Sequence, residues 1–381
     1  MNKTLLIALQ GIGNTAMALH AAEKLTKQPF SNLSMVVSNN GSHELAGSML
    51  PKNRVYIWDE KKGAAENVTS IAHSTRQDVF DEVYMAYPSG RREGVIGLLS
   101  RAKVKKALCD NDKDLFLFRK IYKSRKLKPS HIHDISANLF LFGRPYQDYI
   151  RPVFITDSIK KTCGDFAEHF FDENNLSRNF TIALHPGCKS PGKRWPVENY
   201  IKLCRIIDDK MECKFLIIGG REEGFLKKHV ASEIGKNAAI SDTASVIQLA
   251  ALLGKCQLFI GNDSAPMHLA TLMATPVTAL WGYSDFYRTS PYGPGNVLLR
   301  MNYYCSPCYK FSGRYVESCR NQLSCIRNIP FEPVAKVIIK YIDILKEKSR
   351  NITLDDINSL YTPNIAKIFS LDHGCIVINF S

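Results

Sequence analysis

The sequence predicts an α/β protein of two domains, each a parallel sheet doubly wound by helices. Three observations carry this. At 381 residues the chain exceeds one typical domain, and 45% apolar residues supply two cores. Short apolar runs of strand length alternate with helical patterns in both halves, the signature of a parallel sheet. In the second half two strand-to-helix junctions concentrate Gly, Pro, cations and small polar residues, as loops that approach a ligand closely do. The expected limits are 1–155 for a first domain, 156–178 for a connection, 179–348 for a second domain and 349–381 for an extension.

The first domain opens with a strand over Leu5–Leu9, a tight turn Gly11-Ile12-Gly13 and a helix Thr15–Leu25. Gly11 and Gly13 lack a third glycine at the dinucleotide spacing, so the turn is a weak cofactor signal beside plain close packing. Strands follow at Met35–Ser38, Val55–Trp58 and Val83–Ala86. The loop after the last of these carries Arg91 and Arg92, which either hold an anionic acceptor or begin a basic face. His131–Gly143 reads as a helix with Ile132, Ile135, Leu139 and Phe142 on one stripe and its histidines, like His20 earlier, at the surface. A short strand Val153–Ile155 and a helix Ser158–Phe171 fill the connection.

In the second half, strands Thr181–Leu184, Lys214–Ile218, Leu258–Ile260 and Val277–Trp281 alternate with helices Val197–Asp208, Glu222–Ile234, Ser245–Leu253 and Ala265–Ala274. Gly261-Asn262-Asp263-Ser264 turns into the helix that begins at Ala265, with Ser264 expected to cap it. Backbone N–H groups at a helix start favour an anion, and Asp263 and His268 add an acid and a titratable ring nearby. Upstream, the segment from His185-Pro186-Gly187 to Gly192-Lys193-Arg194-Trp195-Pro196 places Lys189, Ser190, Lys193 and Arg194 in one loop, suited to a diphosphate.

These two loops, with Ile217–Gly220 (IIGG), GNDSAPMHLA and ATPVTALWG, resemble glycosyltransferase family 9, the heptosyltransferase family of lipopolysaccharide assembly. The resemblance is strong over about 180–330 and weaker over the first 150 residues. It implies the GT-B architecture: two doubly wound Rossmann-like domains facing a cleft, donor on the second and acceptor on the first. The implied reaction is inverting transfer of heptose or a related sugar from a nucleotide sugar, ADP-heptose favoured, to lipopolysaccharide core or another surface glycan. It needs no metal and no cofactor besides the donor.

By that resemblance Lys193 meets the donor diphosphate and the leaving nucleotide, with Lys189 and Ser190 in the same loop. Ser264 and the Ala265 amide hold the same phosphates, Asp263 contacts the donor sugar, and His268 supports the phosphate site or the turn. Glu222 or Glu223 fits a ribose-binding carboxylate, whereas Trp195 reads as packing. The family carries an aspartate as general base in the first turn of the chain; here that position is Asn14, which cannot take a proton.

The net charge of +14 is concentrated: residues 91–128 hold thirteen Lys or Arg against four acids. Such a face attracts lipid headgroups or a phosphorylated acceptor; nucleic acid ranks last, because no recognition motif accompanies the charge. No apolar run reaches the roughly 18 residues of a membrane span, and the expected place is the cytoplasm, with peripheral contact at the inner membrane. Cys204, Cys213 and Cys256 lie in apolar surroundings and read as buried thiols. Cys305, Cys308, Cys319 and Cys325 are expected to be structural thiols, with zinc or a disulfide as alternatives. The runner-up function is an inactive nucleotide-sugar-binding partner of an active transferase. The 349–381 extension is expected to cap the first domain or to mediate self-association.

Overall fold

The computed structural model describes residues 3–25, 30–109, 123–126, 132–144, 151–243, 245–308, 319–348, 355–356 and 365–380. They form two compact units, one of 1–162 with 245–247 and one of 163–244 with 248–381.

The first unit is a six-stranded sheet of β1 (Thr4–Ala8), β2 (Leu33–Ser38), β3 (Val55–Trp58), β4 (Glu82–Met85), β5 (Val104–Cys109) and β6 (Lys123–Lys126). Its order, β3-β2-β1-β4-β5-β6, is that of the Rossmann fold. All its pairings are parallel, with Leu6 opposite Met35 on one side of β1 and opposite Tyr84 on the other. β1 is buried along its whole length, which is why it reads as an unbroken apolar run rather than an alternating one. Leu5, Ile7, Val36, Trp58, Ile71, Phe80, Val83 and Ile96 pack as its core.

The second unit is an eight-stranded sheet of β7 (Thr181–His185), β8 (Lys214–Ile217), β9 (Ala238–Ile240), β10 (Leu258–Asn262), β11 (Val277–Trp281), β12 (Val297–Met301), β13 (Ile365–Ser370) and β14 (Ile376–Phe380), in the order β13-β14-β12-β11-β10-β7-β8-β9. Only β13 and β14 pair antiparallel. The chain lays down β7, β8 and β9 in one direction, then returns to start β10 beside β7 and builds outward the other way. The boundary between β7 and β10 is therefore the topological switch point, outside whose carboxyl ends ligands of such sheets collect. In the first unit the corresponding boundary lies between β1 and β4.

Several expectations are corrected. Val153–Ile155 is not a strand: it opens the Val153–Glu173 helix, which departs from helical geometry at Cys163. Pro152 suits a helix entrance, and the Glu23 carboxylate accepts from the Phe154 and Ile155 amides, satisfying donors that a strand would have turned to a neighbour. The first helix starts at Ile12 with Gly11 as its cap, so Asn14 lies in the first helical turn and not in a preceding loop. His20, on the same helix, is buried. His133 is buried too and caps the Asp134–Leu141 helix by accepting from the Ile135 amide at 3.1 Å; His131 lies outside the described residues.

The described part of the 349–381 extension belongs to the second unit. Residues 365–380 add β13 and β14 to the edge of the second sheet, where β14 runs parallel to β12. Arg300 Nη1 donates to Asn379 Oδ1 at 3.0 Å and fastens that addition. The Phe331–Lys348 helix lays Val334, Val337, Ile338, Tyr341, Ile342 and Leu345 on the core shared with β7, β8 and β12. That spacing is one face of a helix, and each such side chain stabilises by roughly 1.5–3 kcal/mol when fully buried.

Candidate active site

Two loops meet at the switch point of the second unit: Pro186–Pro196 after β7, and Asp263–Ser264 after β10, leading into the Ala265–Leu272 helix. Asn262, fully buried at the end of β10, ties them together. Its Oδ1 accepts from the Trp195 amide at 3.0 Å and the Tyr200 hydroxyl at 2.8 Å, while its Nδ2 donates to the Pro186 and Gly187 carbonyls at 3.0 Å each. All the ordinary capacity of one amide is thus spent on fixing the upstream loop. Trp195 is packing, as expected: buried, edge-on to Tyr200, with its indole N–H donating to the Ile329 carbonyl.

Lys193 and Asp263 form an ion pair. Asp263 is buried, and its Oδ2 accepts from both Lys193 Nζ and the Ser284 hydroxyl. Burial would lower the Lys193 pKa, but the Asp263 carboxylate outweighs it and holds the ammonium above its ordinary value. Lys193 also lies over the Tyr283 ring, 5.9 Å from its centre, and Tyr283 hydroxyl and Ser190 Oγ are 3.1 Å apart. Lys189 is exposed. Arg194 Nε donates to the Cys188 carbonyl at 2.8 Å, closing the loop on itself.

The second cluster centres on His185, the last residue of β7. Its Nε2 is 3.1 Å from Glu223 Oε2 and its Nδ1 2.9 Å from Ser264 Oγ. Ser264 occupies the cap position of the Ala265–Leu272 helix, yet its hydroxyl makes no capping bond, contrary to expectation; His185 and the Asn262 carbonyl engage it instead. Of the two candidate carboxylates, Glu223 is the one brought here, and Glu222 stays exposed. Burial would raise the Glu223 pKa, but the bond to His185, the nearby ring, the Gly220 amide and Arg194 together hold it below the ordinary carboxylate range. Glu223 Oε1 is buried and, among the described residues, unpartnered. Gly187 makes room for it: a Cβ there would lie 1.9 Å from Oε1. His268 is half-buried on the same helix, and burial pushes its pKa down to about 4.

In the first unit, Asn14 and the Arg91–Leu99 helix stand after β1 and β4, on either side of that sheet's own switch point. Gln10 Nε2 donates to Glu93 Oε1 at 3.0 Å and links the two loops. Arg91 and Arg92 are exposed at the helix start, and Arg92 stacks over the Trp58 ring at 5.4 Å.

Sequence reasoning missed His185, Asn262 and Ser284. His185 and Asn262 lay inside the motifs themselves, and their signal was polar residues at the ends of otherwise apolar strands. Ser284 follows Tyr283 with no pattern to mark it.

A family model described as glycosyltransferase family 9 (heptosyltransferase) matches residues 101–316, more than half of the chain. The chain belongs to glycosyltransferase family 9. It is similar to the lipopolysaccharide core heptosyltransferase OpsX of Haemophilus influenzae, 24% identical over 294 residues, covering 75% of this chain and 81% of that one. It is also similar to lipooligosaccharide heptosyltransferase 2 of Campylobacter jejuni, 26% identical over 132 residues, where the match spans 33% of this chain and only 42% of the relative. Among solved structures, ADP-heptose lipopolysaccharide heptosyltransferase II of E. coli aligns with 91% of this chain and 100% of its own at 15% identity and a TM-score of 0.64. The family 9 fold class is GT-B, and both Rossmann-like units fit it.

The remaining sequence candidates lie elsewhere. Cys204, Cys213 and Cys256 are buried as their surroundings predict. Cys305, Cys308, Cys319 and Cys325 are free thiols, and no group of His, Cys, Asp or Glu among the described residues is arranged to hold a metal ion. Burial pushes the Cys325 thiol up to about 12. Among the described residues no helix is long and apolar enough to cross a membrane.

Proposed function

We propose that this family 9 protein transfers heptose or a related sugar from ADP-heptose to lipopolysaccharide core or another anionic surface glycan, with inversion at the anomeric carbon. The observation that carries the reading is the pairing of Lys193 with Asp263 beside the linked trio Glu223, His185 and Ser264, at a switch point. A nucleoside diphosphate sugar has matching parts: an anionic diphosphate, ribose hydroxyls and sugar hydroxyls.

In this reading Lys193, with Lys189, Ser190 and Arg194 around it, meets the diphosphate and stabilises the charge that grows as ADP departs. Ser264 and the Ala265 amide approach the same phosphates from a helix start. Asp263, already held by Lys193 and Ser284, accepts from a sugar hydroxyl, and His268 supports the turn as a neutral ring. Glu223, held beside His185, replaces Glu222 as the carboxylate assigned to the ribose. Arg91, and Arg92 where Trp58 leaves it free, receive acceptor anions. Asn14 orients the attacking hydroxyl, and another group takes its proton. No metal or cofactor enters, because the loop cations meet the leaving charge. The basic 91–128 stretch brings the enzyme to the cytoplasmic face of the inner membrane as a peripheral protein.

The test is calorimetric titration with ADP, UDP, GDP and CDP, then assay of ADP-heptose with a core acceptor and determination of the product anomer. Selective ADP binding and an inverted product are expected. ADP binding with no transfer to any core acceptor would replace this reading with an inactive binding partner. No nucleotide binding would reject the donor site.

A further inference from the structure

The Arg91–Leu99 helix of the first unit buries one side and presents the other. Glu93, Ile96 and Gly97 are buried, with Ile96 in the core beside Phe80 and Val83. The opposite side carries Arg91, Arg92, Val95 and Leu99, at the three- and four-residue spacings that make neighbours on one helix face. Val95 is 38% exposed and Leu99 48%. Exposed apolar side chains are ordinary when scattered singly. Here two stand one turn apart, with Arg91 and Arg92 at the helix start and Arg101 and Lys103 just past its end, all four exposed.

The charge of this surface is one-sided. Between positions 91 and 106 the cations are Arg91, Arg92, Arg101, Lys103, Lys105 and Lys106, and Glu93 is the sole acid. Glu93 is buried, and its two oxygens accept from Gln10 Nε2 and the Gly90 amide, so it pairs with none of the outer cations. Asp81 pairs with Lys103 and Glu82 with Lys106. Arg91, Arg92 and Arg101 enter no ion pair among the described residues.

We propose that this outer helix face docks on a lipid bilayer carrying anionic headgroups, with Val95 and Leu99 entering the boundary between headgroups and acyl chains and the flanking arginines meeting lipid phosphates. The chemistry selects the occupant. Two copies of this face would bring their arginines together with no acid between them, and the phosphate surface of a nucleic acid offers Val95 and Leu99 nothing apolar. An anionic bilayer supplies both needs: phosphates for the guanidinium groups, and acyl chains for the two apolar side chains beneath them. The inference assigns the peripheral contact proposed above to one helix face. Arg91, the proposed acceptor contact, opens that same helix, so an acceptor anchored by lipid would be met where it leaves the bilayer. That link rests on the acceptor reading; the docking face does not.

The experiment is binding of the full chain to phosphatidylcholine vesicles with and without about one-third phosphatidylglycerol, read by co-sedimentation and, for Leu99→Trp, by fluorescence quenching with brominated acyl chains. Trp58, Trp195 and Trp281 are buried, so the introduced ring is the one that lipid reaches. The wild type should bind anionic vesicles at least about tenfold more tightly than neutral ones, and the difference should collapse between about 0.1 M and about 1 M salt. Val95→Ser/Leu99→Ser should bind about tenfold more weakly, and Arg101→Gln about fivefold, the loss of one charge near the surface. ADP affinity should be unchanged in both. Absence of vesicle binding, binding that both variants leave intact, or no quenching of bound Leu99→Trp overturns the proposal. So does a dimer, seen by sedimentation without vesicles, that Val95→Ser/Leu99→Ser disperses, because the face then belongs to a second copy. A wild type that binds vesicles in this pattern but binds no ADP would reject the donor site and leave the docking face standing.

Discussion

Lys193 and Asp263, 70 residues apart in sequence, are ion-paired between the loops that follow the adjacent strands β7 and β10. Asp263 is buried, so the pair is a charge already brought out of water, with Ser284 as a second donor to the same carboxylate oxygen. Breaking such a pair from one side costs more than the contact itself, because the other charge remains.

Replacing Lys193 by Ala should therefore weaken ADP binding by about 10- to 100-fold, the worth of one charge-assisted hydrogen bond plus the repulsion between a bare Asp263 and the diphosphate. The double variant Lys193→Ala/Asp263→Asn should recover part of that loss. Calorimetry on the three proteins checks it; equal ADP affinity in wild type and Lys193→Ala would remove Lys193 from the donor site.

Gly187 carries no side chain because Glu223 fills the space a Cβ would take, with Oε1 at 1.9 Å and Cδ at 2.4 Å. Both atoms belong to a buried side chain fixed by His185 and the Gly220 amide, so Gly187→Ala must displace it. The expected cost is about 2–4 kcal/mol of unfolding free energy, in the range of overpacking combined with a broken polar network. Glu223→Ala added to Gly187→Ala should be more stable than Gly187→Ala alone. Urea unfolding of the pair measures this, and a neutral Gly187→Ala would show that Glu223 has room to move.

Much of this was legible in the sequence, for identifiable reasons. Parallel strands buried on both faces give plain apolar runs, so β11 was placed with its exact limits. The two loops that meet at the switch point stood out because Gly, Pro and cations gather in them. Val153–Ile155 was misread because β-branched and aromatic propensity is local, whereas the Glu23 carboxylate that satisfies its amides lies 131 residues away from Phe154. The Ser264 side chain was misread for a similar reason: a serine at a cap position normally bonds its own helix, and only the fold brings His185 from β7 to compete. Glu222 and Glu223 were indistinguishable until the Arg221–Glu223 turn buried one and exposed the other.

His268 gives a pH dependence of stability whose direction is fixed by burial. Its pKa falls from 6.5 to about 4 on folding. Above pH 6.5 the ring is neutral in both states, so it contributes no slope. As pH drops from 6.5 toward and below 4, the unfolded chain binds a proton that the folded chain refuses, and stability is lost, by roughly 3 kcal/mol at the limit. His268→Gln should lack that component. Urea midpoints at pH 7 and pH 4.5 should therefore differ less in the variant; an identical difference in both proteins would show that the ring is solvated.

Asn14 lies in the first turn of the Ile12–Ala22 helix, which has no acidic residue in that turn. An aspartate there would be stabilised as the anion by the helix start, by about 0.3–1 kcal/mol, and so would be ionised at neutral pH. Such a carboxylate is a weak base but a correctly charged one, and general-base assistance is worth about 10²–10⁴ in rate when geometry allows. Asn14→Asp is accordingly expected to raise kcat for transfer from ADP-heptose with ADP affinity unchanged, since the donor residues all belong to the second unit. The rate should then rise with pH through the carboxylate range. A kcat that does not increase would mean that Asn14 orients the acceptor hydroxyl by hydrogen bonding and that the proton leaves by another group.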